Sequence, residues 1–325
     1  MPFAELADVR LHYRFDGDDD APVLMLSNSL GTDLAMWDPQ VPYLAERYRV
    51  LRYDSRGHGR SEVTKGPYVI AQLARDTLGL LDYLRLRQVR FCGLSIGGMV
   101  GQWLGANAAK RFERLVLCNT AAQIGSHEIW NDRMDAVNKR GMAAIVDGVL
   151  ARWYTAPFIA AAPDSIAATR EMLLTTPASG YVACCAAVRD MDLRDSTSRI
   201  TVPTLVIAGT YDMVTTPAAG RFLRTALRAR VTRNCQPRIF RTSRRRPHLS
   251  PRSLNSLPDG SGRRGDFPTK RTCDRTQQCT NATTGFECQI AQRHRLLHAL
   301  VGARAFDRTH PSGADRVGRI AVLAA

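Results

Sequence analysis

The chain has 325 residues, of which 45% are hydrophobic and 23% charged, so it can bury a large core and is neither disordered nor collagen-like. No stretch approaches the roughly 20 apolar residues of a membrane-spanning helix. The first ten residues also lack the basic and then apolar layout of a secretory signal. We therefore expect a cytoplasmic protein without a membrane partner.

The formal net charge of +15 is unevenly distributed along the chain. Residues 1–223 are electrically balanced, and residues 224–325 carry the entire excess. A basic protein invites a nucleic-acid interpretation, but this segment holds few aromatic side chains on which bases would stack. We predict no nucleic-acid partner and keep nucleic-acid binding as an alternative that a gel shift with the basic segment would test.

The cysteines argue against a metal centre. Cys92, Cys118, Cys184 and Cys185 lie in apolar contexts typical of reduced, buried thiols, and the other four fall in the basic segment. Neither a Cys-x-x-Cys pair nor a Cys/His ligand spacing occurs. We expect neither a metal nor another cofactor.

Short β-rich runs alternate with helical patterns in the first part of the chain. The periodicity predicts a small-residue helix over 96–107 and strands over 9–15, 22–26, 48–53, 89–93, 114–118 and 204–208. Strands separated by helical crossovers predict an α/β fold with a mostly parallel sheet flanked by helices.

Two regions interrupt this alternation. Between 124 and 195 the strand signals vanish and helix-like segments over 132–139, 143–153 and 181–188 predict a helical cap. The cap divides the core into residues 1–123 and 196–223. Residues 224–325 carry neither helical nor strand periodicity, which predicts an irregular tail.

The strongest chemical signal is Gly93-Leu94-Ser95-Ile96-Gly97, a G-x-S-x-G motif between a predicted strand and a predicted helix. A nucleophile on such a sharp turn needs strained backbone angles and neighbours without side chains. We predict Ser95 to be a nucleophile. The alternative is a glycine-rich turn with a helix-capping serine.

Two further segments complete a hydrolytic site. The loop that starts at Asn28 follows an early strand, where its Leu30 amide would join the Ile96 amide in an oxyanion hole. Asp212 follows a late strand and suits the acid that orients a histidine. A common turn at Asn28 and a capping role for Asp212 are the alternatives.

The loop around His58 contains a Gly-x-Gly sequence that resembles a phosphate-binding motif. The dinucleotide pattern requires a third glycine three residues on, and Glu62 stands there instead. We interpret the loop as structural and His58 as scaffold.

Residues 1 to about 223 resemble the α/β-hydrolase superfamily, and within it the 3-oxoadipate enol-lactonases. The resemblance is carried by LSNSLGTDLAMWDPQ (26–40), RYDSRGHGRSEV (52–63), FCGLSIGGMVGQWL (91–104), RWYTAPF (152–158) and IAGTYDMVTTPAAGRFL (207–223). It implies an α/β-hydrolase fold and hydrolysis of a small, carboxylate-bearing enol-lactone, with Ser95 as nucleophile and Asp212 as triad acid.

The cap would supply the substrate's anion partner. Arg133 and Arg152 are candidates because a guanidinium pairs with a carboxylate through two hydrogen bonds. Trp37, Trp130 and Trp153 are candidate pocket walls. Solvated arginines and core tryptophans are the alternatives.

The third member of the triad is missing. The resemblance implies a histidine some 25 to 30 residues after the acid, within an Ala-His-Leu-Ser-Asn-like segment. The window 233–243 contains none. Read one frame over, the codons of Pro237–Ser243 permit Ala-His-Leu-Ser-Asn-Ile, and those of Leu249–Asp259 permit a terminal helix and a stop. We hypothesise a frameshift near 223–227.

Other outcomes stay open. His248 lies in Pro247-His248-Leu249-Ser250 and imitates the expected segment, but arginines precede it and no credible strand does. Without a base the chain would be catalytically dead. A generic carboxylesterase of the same fold is the alternative enzyme.

Overall fold

The computed structural model describes residues 2–227. Within that range the strands are β1 (Phe3–Glu5), β2 (Arg10–Asp16), β3 (Val23–Ser27), β4 (Arg49–Tyr53), β5 (Val89–Leu94), β6 (Phe112–Cys118) and β7 (Thr204–Ile207). They form a seven-stranded sheet in the order β1-β2-β4-β3-β5-β6-β7. The pairs involving β2 are antiparallel, and the remaining pairs are parallel. The predicted fold class is confirmed.

The helices are α1 (Val41–Leu44), α2 (Ile70–Tyr83), α3 (Ile96–Asn107), α4 (His127–Arg140), α5 (Ala143–Trp153), α6 (Ala156–Ala161), α7 (Pro163–Thr175), α8 (Ala178–Arg189), α9 (Arg194–Thr197) and α10 (Pro217–Ala226). Two short 3-10 helices span Leu34–Trp37 and Ala109–Arg111. No helix within residues 2–227 is both long and apolar enough to cross a bilayer.

Both faces of the sheet are buried, which explains the apolar runs of its central strands. Along β3, Met25 packs into the core cluster on one face, and Leu24 and Leu26 pack into the cluster on the other. Helix α3 lies close to the sheet because its glycines leave room. A Cβ at Gly101 would stand 2.8 Å from the Phe91 ring, so only glycine fits there.

The cap helices α4–α8 lie between β6 and β7 in the chain, and α8 anchors them to the core. The backbone of Gly180 packs directly on that of Gly57. A Cβ added at Gly57 would stand 2.8 Å from the Gly180 Cα. The Tyr68 amide also donates to the Ala183 carbonyl at 3.2 Å. The cap is therefore fixed to the core loop that contains His58.

Helix α10 crosses residue 223, after which the tail is predicted to begin. It continues to Ala226, and Leu227 is buried. The apolar face of α10 causes this, since Leu223 and Leu227 both pack inward. The rest of the tail lies outside the described residues, and so do His248 and the four cysteines of the tail. Cys92, Cys118, Cys184 and Cys185 are buried free thiols, as predicted.

Candidate active site

Ser95 stands on a sharp turn between β5 and α3. Its φ of 56° and ψ of −114° lie in a strained region that side-chain-bearing residues rarely occupy. Its amide donates to the Cys118 carbonyl at 3.0 Å, and its carbonyl accepts from the Thr120 hydroxyl at 2.8 Å. The neighbouring strand β6 therefore holds the turn in place and leaves the Ser95 side chain partly exposed.

The glycines of the motif are required by close backbone approach. An added Cβ at Gly93 would overlap the Gly97 carbonyl, and one at Gly97 would overlap the carbonyl of Ser27. The Gly97 amide donates to the Asn28 carbonyl at 3.1 Å. This contact brings the loop after β3 against the start of α3.

The Leu30 and Ile96 amides are the expected oxyanion donors. Neither amide has a hydrogen-bond acceptor within residues 2–227. Ile96 begins α3, where the first amides of a helix lack intrahelical acceptors and favour negative charge. Within the described chain, both amides therefore have a hydrogen bond left to donate.

Trp37, a predicted pocket wall, lies in the core cluster beside the loop that starts at Asn28. It is 4% exposed and packs with Leu24 and Leu26, and its indole N–H donates to the Asn28 side-chain oxygen at 2.9 Å. The Asn28 side chain donates in turn to the Tyr53 carbonyl at 2.8 Å. This network fixes the first residue of the loop, and the pocket role of Trp37 stays a prediction.

Asp212 follows β7 and is 4% exposed. One carboxylate oxygen accepts the amides of Val214 and Thr215, each at 2.8 Å. The other accepts the Thr215 hydroxyl and the Asn119 side-chain amide, the latter at 2.8 Å. These donors hold the buried carboxylate in one orientation.

Asn119 and Thr215 were missed by sequence reasoning. Ser95, Asn119 and Asp212 follow the adjacent strands β5, β6 and β7, so the parallel sheet delivers them to one edge. The available signal was an amide side chain at the end of the strand that separates the nucleophile from the acid.

The histidines within residues 2–227 serve other contacts. His12 pairs through Nδ1 with Asp54 at 2.7 Å, and His127 begins α4 in the cap. His58 is 2% exposed; its Nε2 accepts the Gly31 amide at 2.9 Å and its Nδ1 lies 3.3 Å from the Arg56 carbonyl. No histidine in this part of the chain is hydrogen-bonded to Asp212.

Two cap arginines converge on Tyr181 of α8. Arg133 on α4 and Arg152 on α5 both act electrostatically on the Tyr181 hydroxyl. Burial and the charge of Arg133 lower the pKa of Arg152. Both guanidinium groups are partly buried, and neither forms an ion pair with a carboxylate among the described residues. The arrangement leaves positive charge in the cap without a counterion.

The other predicted pocket residues lie beside these arginines. Trp130 is 6% exposed, lies 4.7 Å from the Arg133 guanidinium and donates to the Ile124 carbonyl at 3.0 Å. Trp153 is half-buried at the end of α5. Trp130 therefore supports Arg133 by stacking.

Comparison with known proteins agrees with this arrangement. The profile of the alpha/beta hydrolase fold family matches residues 22–234. The chain belongs to this family.

Several relatives of this α/β hydrolase are enol-lactonases. The 3-oxoadipate enol-lactonase 2 of Acinetobacter baylyi is 44% identical over 216 residues, covering 66% of this chain and 81% of the relative. An enol-lactonase crystal structure from Burkholderia xenovorans LB400 has a TM-score of 0.70 at 48% identity and covers 72% of this chain and 90% of its own. A Pseudomonas aeruginosa hydrolase has a TM-score of 0.70 at 44% identity, over 72% and 89% of the two chains. The resemblance drawn from the motifs is confirmed.

Proposed function

We propose that this α/β hydrolase is built to open 3-oxoadipate enol-lactone by nucleophilic attack of Ser95. The proposal rests on the strained Ser95 turn together with two amides, Leu30 and Ile96, that have no acceptor within residues 2–227. The names of the relatives supply the substrate class. A lactone is a cyclic ester, so its hydrolysis requires the acyl transfer that such a site supports.

The reaction follows from these positions. In the intact triad a histidine takes the Ser95 hydroxyl proton as Oγ bonds to the lactone carbonyl carbon, and the carbonyl electron pair moves to the oxygen, which the Leu30 and Ile96 amides would stabilise. Collapse of this intermediate breaks the ring C–O bond, and the histidine gives its proton to the departing oxygen, which leaves as an enol and becomes the ketone. The same histidine then takes a proton from water, whose oxygen bonds to the acyl carbon, and returns that proton to Ser95 Oγ as the acyl-enzyme bond breaks. Asp212, which follows β7 two strands from the strand that carries Ser95, would orient and stabilise the protonated imidazole.

The imidazole is the part that residues 2–227 do not supply. We infer that a frameshift near 223–227 removed it; the codons of Pro237–Ser243, which permit the expected histidine segment in another frame, support this inference, and the family match ends at residue 234, before that segment. Loss of the base lowers turnover by roughly 10⁴ to 10⁶ in triad enzymes, so this chain is expected to be a strongly impaired lactonase. His248 is the competing base.

Arg133 and Arg152 would receive the substrate carboxylate. They carry positive charge on the cap and have no carboxylate partner in the described chain. A substrate carboxylate that enters the site must be paired with a cation to offset its loss of hydration, and these guanidinium groups would provide it. A hydrogen bond to a charged group contributes about 1.5–3 kcal/mol. Arg152→Met should therefore raise the lactone KM by roughly 10- to 100-fold and change the KM of a neutral ester little.

The decisive experiment assays enol-lactone hydrolysis by the full chain, by a chain with the reading frame restored, and by Ser95→Ala in each. The restored chain should be active, its Ser95→Ala variant inactive, and this chain weaker by several orders of magnitude. Equal activity in both chains would show that the base is present here. A restored chain that hydrolyses neutral p-nitrophenyl esters but not the lactone would identify a generic carboxylesterase instead.

A further inference from the structure

We infer that His58 and Thr176 are positioning residues for the oxyanion hole. His58, in the core, accepts a hydrogen bond from the Gly31 amide, and Thr176, in the cap, donates one to the Gly31 carbonyl. The inference rests on the proposed function, in which the Leu30 amide is an oxyanion donor. It assigns a role in the reaction to two side chains that do not touch the substrate.

From the core, His58 binds the Gly31 amide. Its Nε2 accepts the Gly31 amide at 2.9 Å, so this nitrogen carries no proton. Its Nδ1 lies 3.3 Å from the Arg56 carbonyl, which can only accept, so the proton stands on Nδ1. Because the ring is 2% exposed, no water competes for Gly31. A neutral imidazole in a single tautomer thus fixes the Leu30–Gly31 peptide group.

From the cap, Thr176, in the turn between α7 and α8, binds the Gly31 carbonyl. Its hydroxyl lies 2.9 Å from the Gly31 carbonyl and shares its single proton with the Met172 carbonyl, also at 2.9 Å. Gly31 has a φ of +79°, and a Cβ there would stand 2.9 Å from Leu173 and 3.0 Å from Tyr181. The cap therefore lies directly on this residue.

The Leu30 amide is aimed by the peptide group that precedes it. The Ser29 carbonyl accepts both the Thr32 amide at 3.3 Å and the Thr32 hydroxyl at 2.8 Å. In a trans peptide the N–H points opposite to the C=O, so the Leu30 N–H is directed away from Thr32. With Gly31 held on both sides, this peptide plane cannot rotate without breaking a buried hydrogen bond.

The test compares Thr176→Val, which keeps the side-chain shape without the hydroxyl, with Thr176→Ser, which keeps the hydroxyl. Thr175→Val is the matched control, because the exposed Thr175 hydroxyl bonds only within α7. Removing an oxyanion donor costs about 10² to 10³ in kcat, so a misaligned one should cost at least about tenfold. We expect that loss in kcat, with KM changed less than twofold, for Thr176→Val alone.

A second readout does not require turnover. The amide resonance of Leu30 and the hydrogen exchange rate of the Gly31 amide should change in Thr176→Val and His58→Gln but not in Thr175→Val. An unchanged kcat in Thr176→Val overturns the inference. These kcat values are measured in the chain with the reading frame restored. If that chain hydrolyses no ester, the proposed function fails, and unchanged Leu30 and Gly31 signals in both variants then overturn the inference independently.

Discussion

The buried His58 ring makes the stability of the fold depend on pH. Burial lowers the pKa of His58 from 6.5 to about 4. The unfolded chain therefore takes up a proton on this side chain below pH 6.5, whereas the folded protein resists it until about pH 4. The stabilisation is fully present above the unfolded pKa and is lost as the pH falls through this window.

The magnitude follows from the gap between the two pKa values. At about 1.4 kcal/mol per pH unit, the gap corresponds to about 3 kcal/mol, which is a large part of the 5–15 kcal/mol of a typical domain. The groups that face the ring are the Asp54 carboxylate, which opposes the shift, the Cys184 thiol 3.9 Å from Nδ1, and the Arg56 carbonyl. Desolvation outweighs the charge of Asp54.

The assay is equilibrium urea unfolding of the parent and His58→Gln at pH 7 and pH 4.5, followed by circular dichroism. Protonation of all other groups is common to both proteins, so the difference between their pH dependences isolates His58. Between pH 7 and pH 4.5, the unfolding free energy of the parent should fall by about 2 kcal/mol more than that of His58→Gln. Equal losses would refute the assignment of a neutral, buried imidazole.

Three more outcomes follow from the structure. Gly97→Ala should lower the unfolding free energy by at least about 2 kcal/mol, measured by urea unfolding, because its Cβ would overlap the Ser27 carbonyl; a neutral result would contradict the close approach. Asp76→Ala should lower the unfolding free energy by about 1–3 kcal/mol in the same assay, because it removes the buried carboxylate that binds Arg56 at 2.6 Å and 2.8 Å and leaves that guanidinium with the exposed Asp8 at 3.1 Å; an unchanged unfolding free energy would contradict the contribution of the buried pair. The hydrogen bond with Cys92 and burial raise the pKa of the Cys118 thiol, so a thiol reagent should modify Cys118 only after unfolding; rapid labelling of Cys118 in the native protein, located by peptide mapping, would disprove its burial.

Much of the core could be predicted because its signals are local. Helix α3 lies at the predicted 96–107, and β4 starts one residue after the predicted 48–53. The Ser95 turn was predictable for the same reason, since its glycines and flanking apolar residues are adjacent in the chain. Local pattern and tertiary structure agree there.

The contacts that complete the site could not be predicted because they join distant residues. Thr176 meets Gly31 across 145 positions, and Asn119 meets Asp212 across 93. No periodicity marks either partner. The contact of Trp37 was unpredictable for a related reason: an indole that fills a core and one that lines a pocket have the same sequence context, and only the structure shows its bond to Asn28.

Because His58 of the core and Thr176 of the cap both bind Gly31, substrate specificity in such a scaffold cannot be changed through the cap alone. A cap transplanted from a relative would bring a new set of side chains for the ligand, but it would also bring its own turn onto Gly31. Chimeras that lose a hydroxyl at position 176 should therefore bind the new ligand and still turn it over slowly. Exchanging the helices as an independent module requires that this one threonine be carried along.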